Sequence, residues 1–170
     1  NYATPGSGGI NHIATEVFSS LAGIKLMHIP YKGAGPALTD VIGGQVHLAF
    51  QGPLNVAPHI KSGKLRGLAA SGNARLATLP QVPTFAEAGL ADFDIRIWYG
   101  VLAPPALPRP LADRLAGDIA KLQGDGAFRE KLSAEGMDPL RLAGQAFATV
   151  MRRDSDKYAR VIKANNITAD

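Results

Sequence analysis

Six residues near the N-terminus, Thr4-Pro5-Gly6-Ser7-Gly8-Gly9, have the composition of a site that grips an anion with backbone alone. They lie between a short apolar stretch, Tyr2-Ala3-Thr4, and a run with helical spacing, Ile10, Ile13, Ala14, Val17, Phe18 and Leu21. A helix that opens there leaves several N–H groups unpaired and carries partial positive charge at its first turn. Glycines let a ligand oxygen come close to those N–H groups. A carboxylate, a phosphate and a sulfate all satisfy this chemistry, and so does a water-filled strand-to-helix turn.

Three better-known readings of the same residues fail. A P-loop ends in Gly-Lys-Ser/Thr, whereas Gly9 is followed by Ile10-Asn11. The dinucleotide pattern GxGxxG begins at Gly6 and Gly8 but meets Asn11 where its third glycine belongs. Pro5 occupies the first glycine position of a GxSxG elbow, which argues against Ser7 as a nucleophile.

Two further turns follow the same logic. Tyr31-Lys32-Gly33-Ala34-Gly35 and Phe50-Gln51-Gly52-Pro53 each come after a short apolar stretch and before a helical pattern. In a parallel sheet all three turns reach the edge at which open α/β sheets bind ligands. Glycine-rich turns are also simply what such connections require. Lys32 offers a cation to a ligand carboxylate or is solvated. Trp98 and Tyr99 wall a pocket or belong to the core. His12, His28, His47 and His59 show no metal-ligand spacing, so no metal site is expected. His28 and His47 read as packing residues. His12, on the first turn of the first helix, reads as a ligand donor or a cap. No nucleophile, base and orienting acid assemble, which disfavours an enzyme.

The elements that position these turns are legible from periodicity. Strands are expected at Tyr2–Thr4, Lys25–Pro30, Val46–Phe50 and Leu65–Ala70. Between them lie helices ended by Gly23, by Gly43-Gly44 and by Ser62-Gly63. This alternation predicts an α/β fold with a mostly parallel sheet flanked by helices. Thr84-Phe85-Ala86-Glu87 matches a capping box and predicts a short helix ending at Gly89. Asp94 to Ala103 reads as a long strand holding Trp98. From Pro104 onward the period is helical, with apolar sets at Leu111–Leu122, Phe128–Leu132 and Phe147–Ile162 and a short strand at Met137 to Leu140. Those helices need a sheet to cover.

Composition narrows the function classes. The 170 residues carry a net charge of +4 without a concentrated basic run, which argues against a nucleic-acid partner and suits a small anion. There is no cysteine, which excludes disulfides and thiol catalysis. No apolar run is long enough for a membrane span. The opening Asn1-Tyr2-Ala3 lacks an initiator Met and reads as the start of a mature, processed or truncated chain.

Several blocks taken in order resemble one family. They are Tyr2-Ala3-Thr4-Pro5-Gly6-Ser7-Gly8 with His12-Ile13-Ala14, then His28-Ile29-Pro30-Tyr31-Lys32-Gly33, and then Pro36 to Asp40 with Gly43-Gly44-Gln45-Val46. Pro58 to Arg66, Leu79 to Thr84 with Glu87-Ala88-Gly89, and Trp98-Tyr99-Gly100 continue the series. Together they resemble the Bug-type extracytoplasmic receptors, the substrate-binding proteins of tripartite tricarboxylate transporters. The resemblance implies a periplasmic, two-lobed receptor of the type II periplasmic-binding-protein kind. Such a receptor closes on a small carboxylate without chemistry or cofactor and serves membrane transporter subunits. It implies that residues 1–103 form the second lobe. Residues 104–170 then form a helical segment that belongs with the first lobe, whose main part and opposing pincer this stretch lacks. The pincer of the second lobe maps to Ala3, Thr4, Gly6, Ser7 and Gly8, with Tyr31, Gly33, Gln51 and Trp98 as wall residues. Without the first lobe, an exposed apolar face and self-association are expected. A ligand-dependent receptor for a sensor kinase, and an enzyme acting on an acyl or phosphoryl group, are the alternatives.

Overall fold

In the computed structural model, which describes residues 1–169, three short parallel strands form the centre. They are β1 (Tyr2–Thr4), β2 (His28–Pro30) and β3 (Leu48–Ala49), in the order β2-β1-β3. Helix α1 (Ile10–Ala22) links β1 to β2, and α2 (Ala34–Ile42) links β2 to β3. Helix α3 (Pro53–Lys61) follows β3. Right-handed crossovers in this strand order put α1 and α2 on opposite faces of the sheet.

The residues of β1 obey that geometry. Ala3 packs with Ala37 and Val46 on the α2 side. Its neighbours Tyr2 and Thr4 point the other way, as strand alternation requires, and the Tyr2 hydroxyl donates to Glu16 of α1 at 2.6 Å. Burial, with the adjacent Glu16 carboxylate, pushes the Tyr2 hydroxyl well above the usual phenol range. A second core lies beyond α1. There Ala14, Phe85, Phe93 and Ile95 are buried, and Phe18, Phe50 and Tyr158 pack around them. The Phe85 and Phe93 rings stack at 3.9 Å.

Three expected strands and one helix are absent. Leu65–Ala70 makes only a single bridge, Ala70 to Thr84. Asp94–Ala103 forms no ladder, and Ile97, Tyr99, Val101 and Leu102 stand exposed. Met137–Leu140 is likewise irregular. Their composition suits a strand, but a strand exists only through a hydrogen-bonding neighbour, and among the described residues none is offered. The capping box at Thr84 does form: the Thr84 N–H donates to Glu87 at 2.7 Å and the Glu87 N–H to the Thr84 hydroxyl at 3.2 Å. It closes turns that end at Gly89 instead of a helix.

The three C-terminal helices are α4 (Arg109–Gly124), α5 (Gly126–Ala134) and α6 (Gly144–Ala164). The first two pack on each other, and Leu111, Leu115 and Leu122 of α4 remain exposed. Helix α6 behaves differently and returns to α1. Its buried Asp154 accepts the Trp98 indole N–H at 2.9 Å and pairs with Arg153. Lys157 bonds both the backbone carbonyl and the carboxylate of Asp94.

Asp94 links this docking to pH. Burial alone would raise its pKa, but the hydrogen bond and charge of Lys157, with Arg96 and Arg153, outweigh it and hold the carboxyl below its ordinary value. A depressed folded-state pKa stabilises the fold above the unfolded value of about 4 and is lost as pH falls through the folded value. The pair is partly solvated, so its contribution is below about 1 kcal/mol. Asp94→Asn is therefore expected to lower the melting temperature slightly at pH 7, with the gap to wild type closing below about pH 4. A gap that widens on acidification would contradict this assignment.

Candidate functional site

The three strands end at one edge, and each hands the chain to a helix through a glycine. Gly9, Gly33 and Gly52 are the N-caps of α1, α2 and α3. None of the three helices has a side-chain cap at its N-terminus or an acidic residue in its first turn. Soluble helices usually answer this demand with Ser, Thr, Asp or Asn at the cap. Here three positive helix ends share one sheet edge, uncompensated by local carboxylates, which suits an anion. The strand order 2-1-3 also puts a topological switch point between β1 and β3, where open α/β sheets form their binding crevice.

Backbone hydrogen bonds lock the turns together. The Tyr31 N–H donates to the Thr4 carbonyl at 3.0 Å, and the Gly33 N–H donates to the Pro5 carbonyl at 2.8 Å. The Asn11 side chain donates to the Phe50 carbonyl at 2.6 Å and so ties the third turn to the first helix. Pro5 to Gly8 are partly buried and Gly9 is exposed.

Inside the first turn the polar groups are assigned. The Thr4 hydroxyl donates to the Gly6 carbonyl at 2.9 Å and meets His28 Nε2 at 2.6 Å. A hydroxyl has one proton, so with that proton on Gly6 the His28 Nε2–H is the donor to Thr4. The Gly8 N–H donates to His12 Nδ1 at 3.2 Å. An accepting Nδ1 requires a neutral imidazole with its proton on Nε2. The two imidazoles face each other with centroids 3.8 Å apart, and the Tyr2 ring stacks on His28 at 5.0 Å. This pile of buried Tyr2 and His12 with half-buried His28 sits under the turn and sets its shape.

The sequence-level candidates fall into groups. Ala3 and Thr4 are fully buried, and their side chains have no open surface. Gly6, Ser7 and Gly8 lie on the turn itself. Tyr31 and Gly33 are brought against it by the bonds above, and the Tyr31 hydroxyl is held by Asp40 at 2.7 Å. Gln51 lines a cavity of about 60 Å3 together with Ile10 and Asn11 of α1. Trp98 is engaged by α6, through Asp154 and an edge-on contact with Phe147 at 5.3 Å. Lys32 is exposed.

Sequence reasoning missed Asn11 as a clamp and assigned His28 only to packing. One signal was available for His12: a side chain on a helix's first turn leans back toward the N-terminus, which aims position 12 at the N–H of position 8. A larger hollow of about 450 Å3 lies among Ile60, Leu65–Leu68 and Gln81–Pro83. It shares no lining residue with the three turns.

The fold and this edge can be set against known proteins. The chain matches the family described as tripartite tricarboxylate transporter family receptor over residues 1–167. Protein BugT of Bordetella pertussis is 34% identical over 162 residues, covering 95% of this chain and 50% of that protein. A solved structure of a periplasmic transporter superposes with a TM-score of 0.86 at 32% identity, over 100% of this chain and 57% of the other. Rpa4515 of R. palustris, solved with adipate, gives 0.80 at 29% identity, over 98% and 56%. MatC of Rhodopseudomonas palustris, solved with bound malate, gives 0.79 at 25% identity, over 95% and 56%. The fold is thus that of periplasmic binding proteins. The chain spans about half the length of the curated relatives it matches.

Gly8 and Gly9 provide a contrast within the turn. Gly8 has φ +73°, and a Cβ there would lie 3.0 Å from the Ala169 backbone; Gly9 has φ −74° and open space around it. Gly8→Ala is expected to cost at least about 1–2 kcal/mol from the left-handed conformation alone, whereas Gly9→Ala stays within about 0.5 kcal/mol. Equilibrium denaturation of the two variants measures this, and equal losses would contradict the described turn.

Proposed function

Because the chain belongs to the tripartite tricarboxylate transporter receptor family, a family of solute-binding receptors, we propose that it captures a small carboxylate in the periplasm and presents it to a membrane transporter. The observation that carries this reading is the shared edge of three uncapped helix N-termini at the β1/β3 switch point. An anion there is bound by fixed N–H groups and helix dipoles.

In this reading the backbone of Ala3, Thr4, Gly6, Ser7 and Gly8 forms the carboxylate-gripping turn. Tyr31, Gly33 and Gln51 border it, and Trp98 shapes the wall from behind through its bond to α6. The structures of two neighbours, one with adipate and one with bound malate, support a di-acid class of ligand. Residues 1–103 act as one lobe of a receptor that closes on its ligand, and residues 104–170 associate with the opposite lobe. The exposed Leu111, Leu115 and Leu122 of α4 support that second assignment, and α6, docked on α1, tethers the two. Where that lobe is missing, the same apolar surface, extended by Tyr99, Val101 and Leu102, drives self-association.

The test is thermal stability of the full-length protein against citrate, succinate, glutamate and an aromatic acid. A true ligand at about 100 times its dissociation constant adds about 2.7 kcal/mol. A clear rise with at least one acid is the expected outcome. Unchanged melting across the whole panel contradicts a carboxylate receptor.

A further inference from the structure

The far end of α3 carries a feature that the anion turn does not use. No Asp or Glu stands between Asp40 and Glu87, a stretch that holds Lys61, Lys64, Arg66 and Arg75. Arg75 is paired with Glu87 at 2.9 Å. Lys61, Lys64 and Arg66 are exposed and make no ion pair among the described residues. Lys61 lies in the last turn of α3 and answers the negative end of that helix. Lys64 and Arg66 lie past the C-cap Ser62, beyond that explanation. Beside these cations is the hollow of about 450 Å3. Ile60, Leu65, Leu68, Val82 and Pro83 give it apolar walls, and Arg66 and Gln81 are its polar lining. The wall is close-packed at Gly67, where a Cβ would come within 2.5 Å of Val82 and 3.2 Å of Ile60. Leu68 next to it is 64% exposed. A leucine left in water on a concave apolar surface with a charged rim is a feature that a partner covers.

We propose that this surface docks an acidic segment of another protein chain. One apolar side chain of that segment sits in the hollow, and its carboxylates meet Lys61, Lys64 and Arg66. Charge complementarity gives the sign of the partner. Three unpaired cations in an acid-free stretch attract an acidic chain and reject a basic one. Shape gives its class, because a hollow takes an inserted side chain and a flat anionic lipid surface has none to insert. The position leaves the anion site free. The nine residues of α3 rise about 13 Å from the edge that carries the turns to this end of the helix. In the proposed two-lobed receptor the opposite lobe closes over that edge, so the far end of α3 stays open to a partner while ligand is held.

The experiment is an amide NMR titration of the full-length protein with three end-blocked pentapeptides. The first has a central leucine among Glu and Asp, the second has serine in place of that leucine, and the third has leucine among lysines. Phosphatidylglycerol vesicles and hexanoate complete the set. The acidic leucine peptide is expected to shift the signals of residues 60–68 and 81–83 and to leave residues 4–9 unmoved. The serine peptide is expected to bind about fivefold or more weakly, since it buries no large apolar group. The lysine peptide is expected not to bind. Reversing all three cations, with Lys61→Glu, Lys64→Glu and Arg66→Glu, is expected to weaken the acidic leucine peptide at least about tenfold and to admit the lysine peptide. Leu68→Ser, a single exposed change, is expected to weaken the leucine peptide and leave the serine peptide as it was. If the acidic leucine peptide leaves residues 60–68 unshifted, or binds the reversed protein as it binds wild type, the proposal fails. Equal binding of the leucine and serine peptides removes the role of the hollow and overturns it. Vesicles that bind where the peptide does not make this a lipid surface, and hexanoate that binds as tightly as the peptide makes it a small-molecule site; either result also overturns the proposal. The carboxylate reading is judged separately by the acid panel, so the failure of one is distinguishable from the failure of the other.

Discussion

Everything at the site depends on the short central strand. Tyr2, Ala3 and Thr4 are completely buried, and β1 is hydrogen-bonded to β2 on one side and β3 on the other. A strand held on both edges and covered on both faces has no freedom to shift, because a one-residue slip would exchange Ala3 with Tyr2 and Thr4 between two differently packed faces. The chain must then turn immediately after Thr4, and the turn inherits that rigidity. An anion site made of backbone N–H groups needs this, since its donors act only if they are fixed before the ligand arrives.

The histidine pile is the second support. His28 is in register with Tyr2 across the sheet, and His12 reaches it from α1. Through Thr4 and Gly8 the two imidazoles touch both ends of the turn. One N–H of the turn is therefore spent on the protein's own scaffolding. In the proposed reading, the groups that meet a ligand belong to the rest of the turn and to the neighbouring helix starts, where the Gly33 N–H is already bonded to Pro5.

Much of this arrangement was legible in the sequence, and the limits have physical causes. Local rules worked for glycine breaks and helical periodicity, which concern residues a few positions apart; the Thr84–Glu87 capping box made its two bonds but not the helix expected of it. The fold class followed because strand–helix alternation leaves few other solutions. Failures came where a neighbour decides. Leu65–Ala70 and Asp94–Ala103 have strand-like composition but no adjacent strand among the described residues, and β-propensity cannot supply one. Trp98 finds its partner at Asp154, 56 residues away. Nothing in the sequence hinted that α6 would return to α1, since an amphipathic stripe shows that a helix is covered without showing by what.

In the proposed function, a backbone turn, and no side-chain cation, holds the ligand's carboxylate. A structure of the full-length protein with a bound acid tests it most directly. The account predicts a carboxylate oxygen within hydrogen-bond distance of N–H groups between Gly6 and Ile10, lying across the N-terminus of α1. A ligand carboxylate paired instead with Lys32, or seated in the hollow beside Arg66 with the turn untouched, would contradict it.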